Sequence, residues 1–333
     1  MSQDQSSIET SIEGIIHACS IKGDGSGDHL GGAQISEMIK SDKLAWVHLD
    51  ANAPSTRVWL ENELSYLDDI IIDALLADET RPRILEFDAG ALLILRGVNL
   101  NEQAQPEDMI SIRVWVDANR IITIQRRNLK ATKDIYDRLI AGKGPANSGD
   151  FIAQLAGRLM ERMEPVFLEL DQALDDIEEQ VIDDPDVKER QPVISIRKQA
   201  ITFRRYIVPQ RDVIAFLRTS EQPWLEQGHK RKLQESLDRV LRYIEDLDAI
   251  RERAQIVKDE LANALADRLN KNMYVLSVIA AIFLPLGFLT GLLGINVGGI
   301  PGAENDDAFY IFIGCMIVLV CLQVLIFKKL KWF

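Results

Sequence analysis

The chain has 333 residues, of which 47% are hydrophobic and 27% charged, with a formal net charge of −13. That length suits one large domain or two modest ones, and acidity of this degree repels phosphate backbones, which excludes nucleic acid as an expected partner. The three cysteines, Cys19, Cys315 and Cys321, lack metal-ligand spacing, and their odd number argues against a disulfide framework, so a reducing compartment fits the soluble part.

The charge is unevenly spread. Residues 272–303 contain no charged side chain, and 272–333 as a whole is neutral, with Glu304, Asp306 and Asp307 set against Lys328, Lys329 and Lys331. The entire excess of −13 therefore lies in 1–271. The first ten residues, MSQDQSSIET, are polar and do not read as a secretory signal.

In chain order, 15–22, 45–50, 91–100, 110–116 and 120–125 predict strands: short apolar or alternating runs bounded by Gly, Asp or Asn. Between them, 56–66 and 68–78 carry helical spacing. Together they predict a mixed α/β domain over 1–149, closed by a linker signal at 142–149 (GKGPANSG). Two helices follow, at 150–182 and 193–219, separated by Asp183-Asp184-Pro185 and predicting a helical hairpin over 150–225. Gln222-Pro223-Trp224 marks the next turn. From there no proline occurs before Pro285, which predicts one very long helix over 226–295: a stalk at 226–272 and a first transmembrane span at 273–295. A loop at 296–307 leads to a second span at 308–327, and 328–333 forms a basic tail. Each span matches the ~30 Å hydrocarbon core at the ~1.5 Å rise of a helix. Lysine and arginine flank the outer ends of this pair and are absent from the connecting loop, which predicts cytoplasmic termini.

The long helix carries a seam with steps of four and three: Asp259, Asn263, Ala266, Asn270, Met273, Ser277, Ala280, Leu284, Gly287, Gly291 and Gly294. A 3.5-residue period places them on one face of a supercoiling helix. The face is polar before the span and small or weakly polar within it. It can line a pore between several copies, or simply allow close helix packing, for which the Gly287–Gly291 pair is a known device. Asn296 follows the span, where its amide oxygen could meet a hydrated cation or merely end the helix. Two helices enclose no hydrated path, so conduction requires an oligomer.

Other candidates divide similarly. The acids of 161–186 could draw cations toward a mouth or form a solvated helix face, with Arg197, Lys198, Arg204, Arg205 and Arg211 of the next helix as counter-charges. Glu304, Asp306 and Asp307 could concentrate cations at the outer entrance or be ordinary loop acids. Among the stalk acids, Asp259 lies on the seam and is the candidate for a titratable ring. The histidines, His17, His29, His48 and His229, show no i+3 or i+4 pairing, and His48, alternating with Trp46 and Asp50, reads as a structural strand residue. No phosphate-binding glycine motif and no Ser/His/Asp constellation is present, so neither ATP-driven pumping nor an enzyme is expected.

The run 283–296, FLPLGFLTGLLGIN, resembles the CorA family of metal-ion transporters, in which a Gly-Met-Asn triplet closes the first of two C-terminal spans. Here the triplet is Gly294, Ile295 and Asn296. The wider run to Gly302, with Trp46-Val47-His48-Leu49, Glu79-Thr80-Arg81-Pro82-Arg83 and Pro209-Gln210-Arg211-Asp212-Val213, is similar to the zinc-transporting ZntB branch. The resemblance covers essentially the whole chain. It implies an α+β membrane protein of the bacterial inner membrane: a cytosolic α/β (αβα) domain, a helical hairpin and a long stalk helix, assembled as a homopentamer. It further implies a pore lined by the first span, with Gly294, Ile295 and Asn296 as filter, and with Met273, Leu276, Leu284 and Gly287 at constrictions. No cofactor is implied, only a transported divalent cation, zinc first, and the resemblance suggests coupling of that flux to protons. The departure of Ile295 from Met, and of Gly-Gly-Ile-Pro-Gly from the Met-Pro-Glu of magnesium transporters, argues against magnesium. A magnesium, cobalt or nickel channel and a non-conducting membrane sensor are the competing readings.

Overall fold

In a computed structural model, residues 13–78, 80–183, 190–294, 300, 302 and 305–329 are described. Six strands form one mixed sheet in the order β1-β2-β6-β5-β4-β3: β1 Ile15–Ser20, β2 Ala45–Asp50, β3 Arg83–Phe87, β4 Gly90–Gly97, β5 Ile110–Val116 and β6 Arg120–Gln125. Only β2 and β6 run parallel; every other neighbouring pair is antiparallel.

The pleat sends alternate side chains to opposite faces. Ala45, Val47 and Leu49 of β2 join Trp115, Ile122 and Ile124 under three helices, α1 Ala33–Lys40, α2 Ser55–Glu63 and α3 Asp69–Leu76. The intervening Trp46 points the other way and meets Phe151 edge-on at 5.0 Å. Phe151 belongs to α5 Ser148–Asp183, which covers the second face together with α4 Lys130–Ile140 and α6 Arg190–Thr219. The sheet is buried on both sides, which explains why β2 and β5 are apolar almost throughout rather than alternating.

Gln210 of α6 ties the second layer to the sheet. β3 pairs with β4 as far as Ile94, and two residues further along β4 an α6 side chain meets the Arg96 backbone. The Gln210 side chain makes both bonds: its Oε1 accepts from the Arg96 N–H at 2.6 Å and its Nε2 donates to the Arg96 carbonyl at 3.0 Å.

The five predicted strands and the helices at 56–66 and 68–78 appear within a few residues of their expected positions. Three elements were not expected. β3 (RILEF) is a largely exposed edge strand whose charged residues hide the alternation. α1 and α4 are short and bury only two and four residues, respectively. The linker signal is also only partly a linker, because Ser148 and Gly149 already belong to α5. A Cβ on Gly149 would collide with the Trp224 carbonyl and the His229 ring, so the glycine permits close packing there.

After α6, α7 runs unbroken over Gln227–Leu293, 67 residues, and α8 over Ala308–Lys329. Lys328 and Lys329, expected in a tail, lie in the last turn of α8, where cations complement the carbonyl end of the helix. The chain divides into two compact units, Met1–Lys258 and Asp259–Phe333, with α7 contributing to both. Both α7 and α8 are long and apolar enough to cross a membrane.

Candidate ion-conduction surface

Within the second unit, α8 covers one side of α7 and leaves the other open. On α7 from Lys271 onward the partly or fully covered residues are Val278, Ala281, Ile282, Pro285, Leu286 and Leu289. On α8 the covered stripe is Ala308, Phe312, Met316, Leu319, Val320, Gln323 and Phe327. Both sets step by three and four, the spacing of one helix face. At ~100° per residue, the α7 stripe is centred roughly 150° from Met273, Ser277, Ala280, Leu284, Gly287 and Gly291. Those residues are all exposed: Met273 is 65% and Leu284 74% accessible, against 8% for Val278. A Cβ added to Gly287 or Gly291 would meet nothing within 4 Å. Leu276, at the edge of this face, is likewise exposed.

Pro285 interrupts the α7 backbone ladder, since it has no N–H for the carbonyl of Ala281. Gln323 of α8 supplies a donor instead: its Nε2 reaches the Ala281 carbonyl at 3.4 Å. This residue escaped the sequence reading. Its signal is the one amide side chain in the apolar run 308–327, taken together with a proline in the facing span. Thr290, one turn further on, folds its hydroxyl back onto the carbonyls of Leu286 and Gly287 at 3.0 and 3.1 Å, so it satisfies itself within the helix. Gly294 closes the helix, its N–H bonded to the Thr290 carbonyl at 2.9 Å. Ile295, Asn296 and Glu304 lie outside the described residues. Asp306 and Asp307 are exposed just before α8, and the Asp307 carbonyl takes the first helical bond, from the Ile311 N–H at 3.1 Å. Their charge thus also sits at the positive end of a helix.

Toward the N-terminal end of the seam, Asp259, Asn263 and Asn270 are exposed on α7. The acidic stretch of α5, in the first unit, is different in character. Arg253 of α7 clamps three of its carboxylates, Asp171 at 2.9 Å, Glu178 at 2.6 Å, and Asp175. Hydrogen bonding to Glu178 raises the guanidinium pKa further. Arg162 pairs with Asp134 at 2.5 Å. The counter-charge expected from α6 therefore comes largely from α7, and α6 spends Arg204 on Asp248 of α7 at 2.7 Å. Asp171, Asp175 and Glu178 are thus ion-pair partners of α7, while Glu164, Glu169, Asp176 and Glu179 lie exposed on the same helix.

His48 is buried, its Nδ1 2.8 Å from the Thr123 hydroxyl and 3.2 Å from the Thr123 carbonyl. Burial, and secondarily the neighbouring His17, lowers its pKa to about 4. This is the structural role expected of it. Among the described residues, no group of three or more His, Cys, Asp or Glu side chains is arranged to hold a metal ion.

A mixed α/β unit followed by one very long helix and a second apolar helix defines a membrane protein of the two-span ion-transporter type. The chain belongs to the CorA family: the family described as CorA-like Mg2+ transporter protein matches residues 41–329. It is a CorA-family divalent cation transporter, in a family of membrane ion transporters and not of enzymes. A curated relative, the divalent cation transporter CmaX of Pseudomonas aeruginosa, is 36% identical over 324 residues, covering 96% of this chain and 97% of that one. The zinc transport protein ZntB of Pectobacterium carotovorum is 33% identical over 324 residues, covering 97% and 98%. The solved structure of full-length CmaX superimposes with a TM-score of 0.84 at 35% identity, covering 97% of this chain and all of that one.

Proposed function

We propose that this chain carries zinc across the bacterial inner membrane as a homopentamer, with both termini cytoplasmic. In this reading 1–149 is the cytosolic α/β domain, 150–225 the hairpin, 226–272 the stalk, 273–295 the pore-lining span, 296–307 the outer loop, 308–327 the lipid-facing span and 328–333 the basic end. The carrying observation is the bare face of α7. The α8 helix packs on the far side, so Met273, Ser277, Ala280, Leu284, Gly287 and Gly291 remain free to meet copies of themselves around an axis. Small, weakly polar side chains suit a hydrated path, and the absence of fixed charge along it lets an ion leave as readily as it enters. Gly294, Ile295 and Asn296 form the filter, and Glu304, Asp306 and Asp307 raise the local cation concentration outside it. At the inner end Asn263 and Asn270 offer amide oxygens, and a ring of Asp259 carboxylates offers a group through which protons can be coupled to flux.

Zinc is preferred because Ile295 and the loop following the triplet depart from the magnesium pattern, and because ZntB proteins are among the relatives. The family description and CmaX support a second reading, a broader channel for magnesium, cobalt or nickel. Purified protein in liposomes, loaded in turn with zinc-, cobalt- and magnesium-sensitive dyes, distinguishes the two. Zinc influx well above cobalt and magnesium, abolished by Gly287→Phe in a protein that still assembles, is the expected result. Equal rates for all three ions would favour the broader channel, and no ion flux at all would overturn both. Flux measured with and without a pH gradient, in wild type and Asp259→Asn, tests the coupling. A gradient effect unchanged by the substitution would remove Asp259 from it.

A further inference from the structure

A cavity of about 560 Å³ opens in the first unit, between the β4–β5 region of the sheet and α6. Its lining is dominated by arginine. Arg96, Arg113 and Arg126 form the inner wall, and Arg81, Arg127 and Arg205 stand exposed at its rim. The carboxylates among the described lining residues are Asp78, Glu107 and Asp108, half as many.

Arg113 is the unusual member. It lies on central strand β5 and is only 1% accessible. Its Nη2 donates to the carbonyls of Ala77 and Asp78 at 2.5 and 3.2 Å, but Nε and Nη1 have no protein partner. Among the described residues no carboxylate contacts it: Asp78 favours its charge only from a distance and is itself paired with Arg126 at 2.8 Å. A buried cation with no carboxylate in contact is costly, which favours an anion against it. Burial, then Arg126 and Arg96, pulls its pKa down to about 10, which still leaves it charged at neutral pH. The surrounding arginines are held in place by backbone carbonyls. Arg96 donates to the Thr80 carbonyl at 2.6 and 3.0 Å and to the Met109 carbonyl at 2.7 Å, and Arg126 donates to the Leu76 carbonyl at 2.6 Å and pairs with the exposed Asp78 carboxylate at 2.8 Å. Three further lining atoms are buried without a protein partner: Thr80 Oγ1, Arg126 Nε and Glu107 Oε2. The first two can donate to an anion. The last can accept from a hydroxyl or amine.

We infer that this cavity is a binding site for a small phosphate-bearing organic anion, with Arg113 and Arg126 at the phosphate and Glu107 accepting from a hydroxyl or amino group of the same molecule. Planar guanidinium groups match phosphate oxygens in pairs, and the cavity's size is in the range of small-molecule sites, larger than inorganic phosphate requires. Tyr206 at the wall carries the Arg96 guanidinium 4.0 Å and the Arg205 guanidinium 4.7 Å from its ring centre, which holds part of the arginine set in position. The α7 seam belongs to the second unit, and the site to the first. Occupancy there would act on transport as a signal and would not supply its energy.

The test uses the full-length protein in detergent. Inorganic phosphate, pyrophosphate and ADP are titrated calorimetrically at constant ionic strength, against wild type, Arg113→Met and the rim variant Arg81→Ala/Arg127→Ala. Saturable binding of ADP or pyrophosphate at one site per chain is expected, weakened at least tenfold in Arg113→Met and less in the rim variant. Tighter binding of ADP than of pyrophosphate marks an organic ligand, and the reverse assigns the site to the phosphate groups alone. Thermal unfolding gives an independent reading. Arg113→Met should lose the rise in Tm that ADP produces in wild type, whatever its own Tm without ligand, since it removes both a buried charge and the donor to the Ala77 and Asp78 carbonyls. If Arg113→Met does not fold, the rim variant alone decides: unchanged affinity there overturns the proposal. So does the absence of saturable binding to wild type, or equal binding by wild type and Arg113→Met.

Discussion

Acid should destabilise this protein through His48 in a way that can be measured and removed. The imidazole is 1% accessible, wedged between Trp46, His17 and Thr123. Burial is the main cause of its lowered pKa and repulsion by His17 the second; Gln125, the Thr123 carbonyl and Asp50 pull weakly the other way. In the unfolded chain the same group titrates near ~6.5. As the folded value, about 4, is the lower of the two, the unfolded state takes up the proton first as pH falls. The stability contributed by keeping His48 neutral is therefore complete above pH ~6.5 and is lost progressively toward pH 4. The gap is worth about 3 kcal/mol at ~1.4 kcal/mol per pH unit. The assay is denaturant unfolding in detergent, followed by tryptophan fluorescence, at intervals from pH 7 to pH 4, for wild type and His48→Gln. Carboxylates titrate in both proteins, so the difference between the curves isolates His48. Wild type should start more stable at pH 7 and converge on the variant as pH falls. Parallel curves would refute the reasoning, because they would mean that His48 is protonated without penalty in the folded protein.

Three further outcomes follow from the geometry. Gln210→Met keeps the side-chain volume but removes both hydrogen bonds to the part-buried Arg96 backbone, which should cost roughly 1–3 kcal/mol of unfolding free energy in urea; a change below about 0.5 kcal/mol would mean that water replaces the amide there. Arg253→Ala leaves Asp171, Asp175 and Glu178 facing one another on α5, partly exposed, so a loss of about 1 kcal/mol is expected that shrinks as salt screens the carboxylates. A Tm that is insensitive to both the substitution and salt would count against the clamp. Gln323→Leu removes the donor that reaches the Ala281 carbonyl across α7 and α8. It should lower the Tm of the detergent-solubilised protein, whereas Gln323→Asn, one methylene too short, should behave like the leucine variant and not like wild type.

Much of the architecture was legible because it rests on local rules. Strands at 45–50, 110–116 and 120–125 are short apolar runs between turn residues. The spans are charge-free runs of membrane length, and the long helix lacks proline over sixty residues. Those signals survive without tertiary context because each is larger than what packing adds. What escaped was held by neighbours. β3 is an edge strand whose pattern is dominated by charge, and it exists because β4 offers it a ladder. α1 and α4 bury too few residues to stand out by periodicity.

The functional face divides in the same way. The sequence by itself determined that one stripe of α7 is small and weakly polar, since a period of 3.5 is a property of the chain alone. Whether that stripe is covered depends on which side α8 takes, and no local pattern states it. Only the packing of α8 along Ala281, Leu286 and Leu289 leaves Gly287 and Leu284 bare. The same holds for charge. A list of residues shows acids on α5 and arginines scattered from Arg81 to Arg205, but a charge acts through distance and burial. Tertiary structure alone gave three of the acids Arg253 as a partner and left Arg113 deep in the sheet against the backbone carbonyls of Ala77 and Asp78.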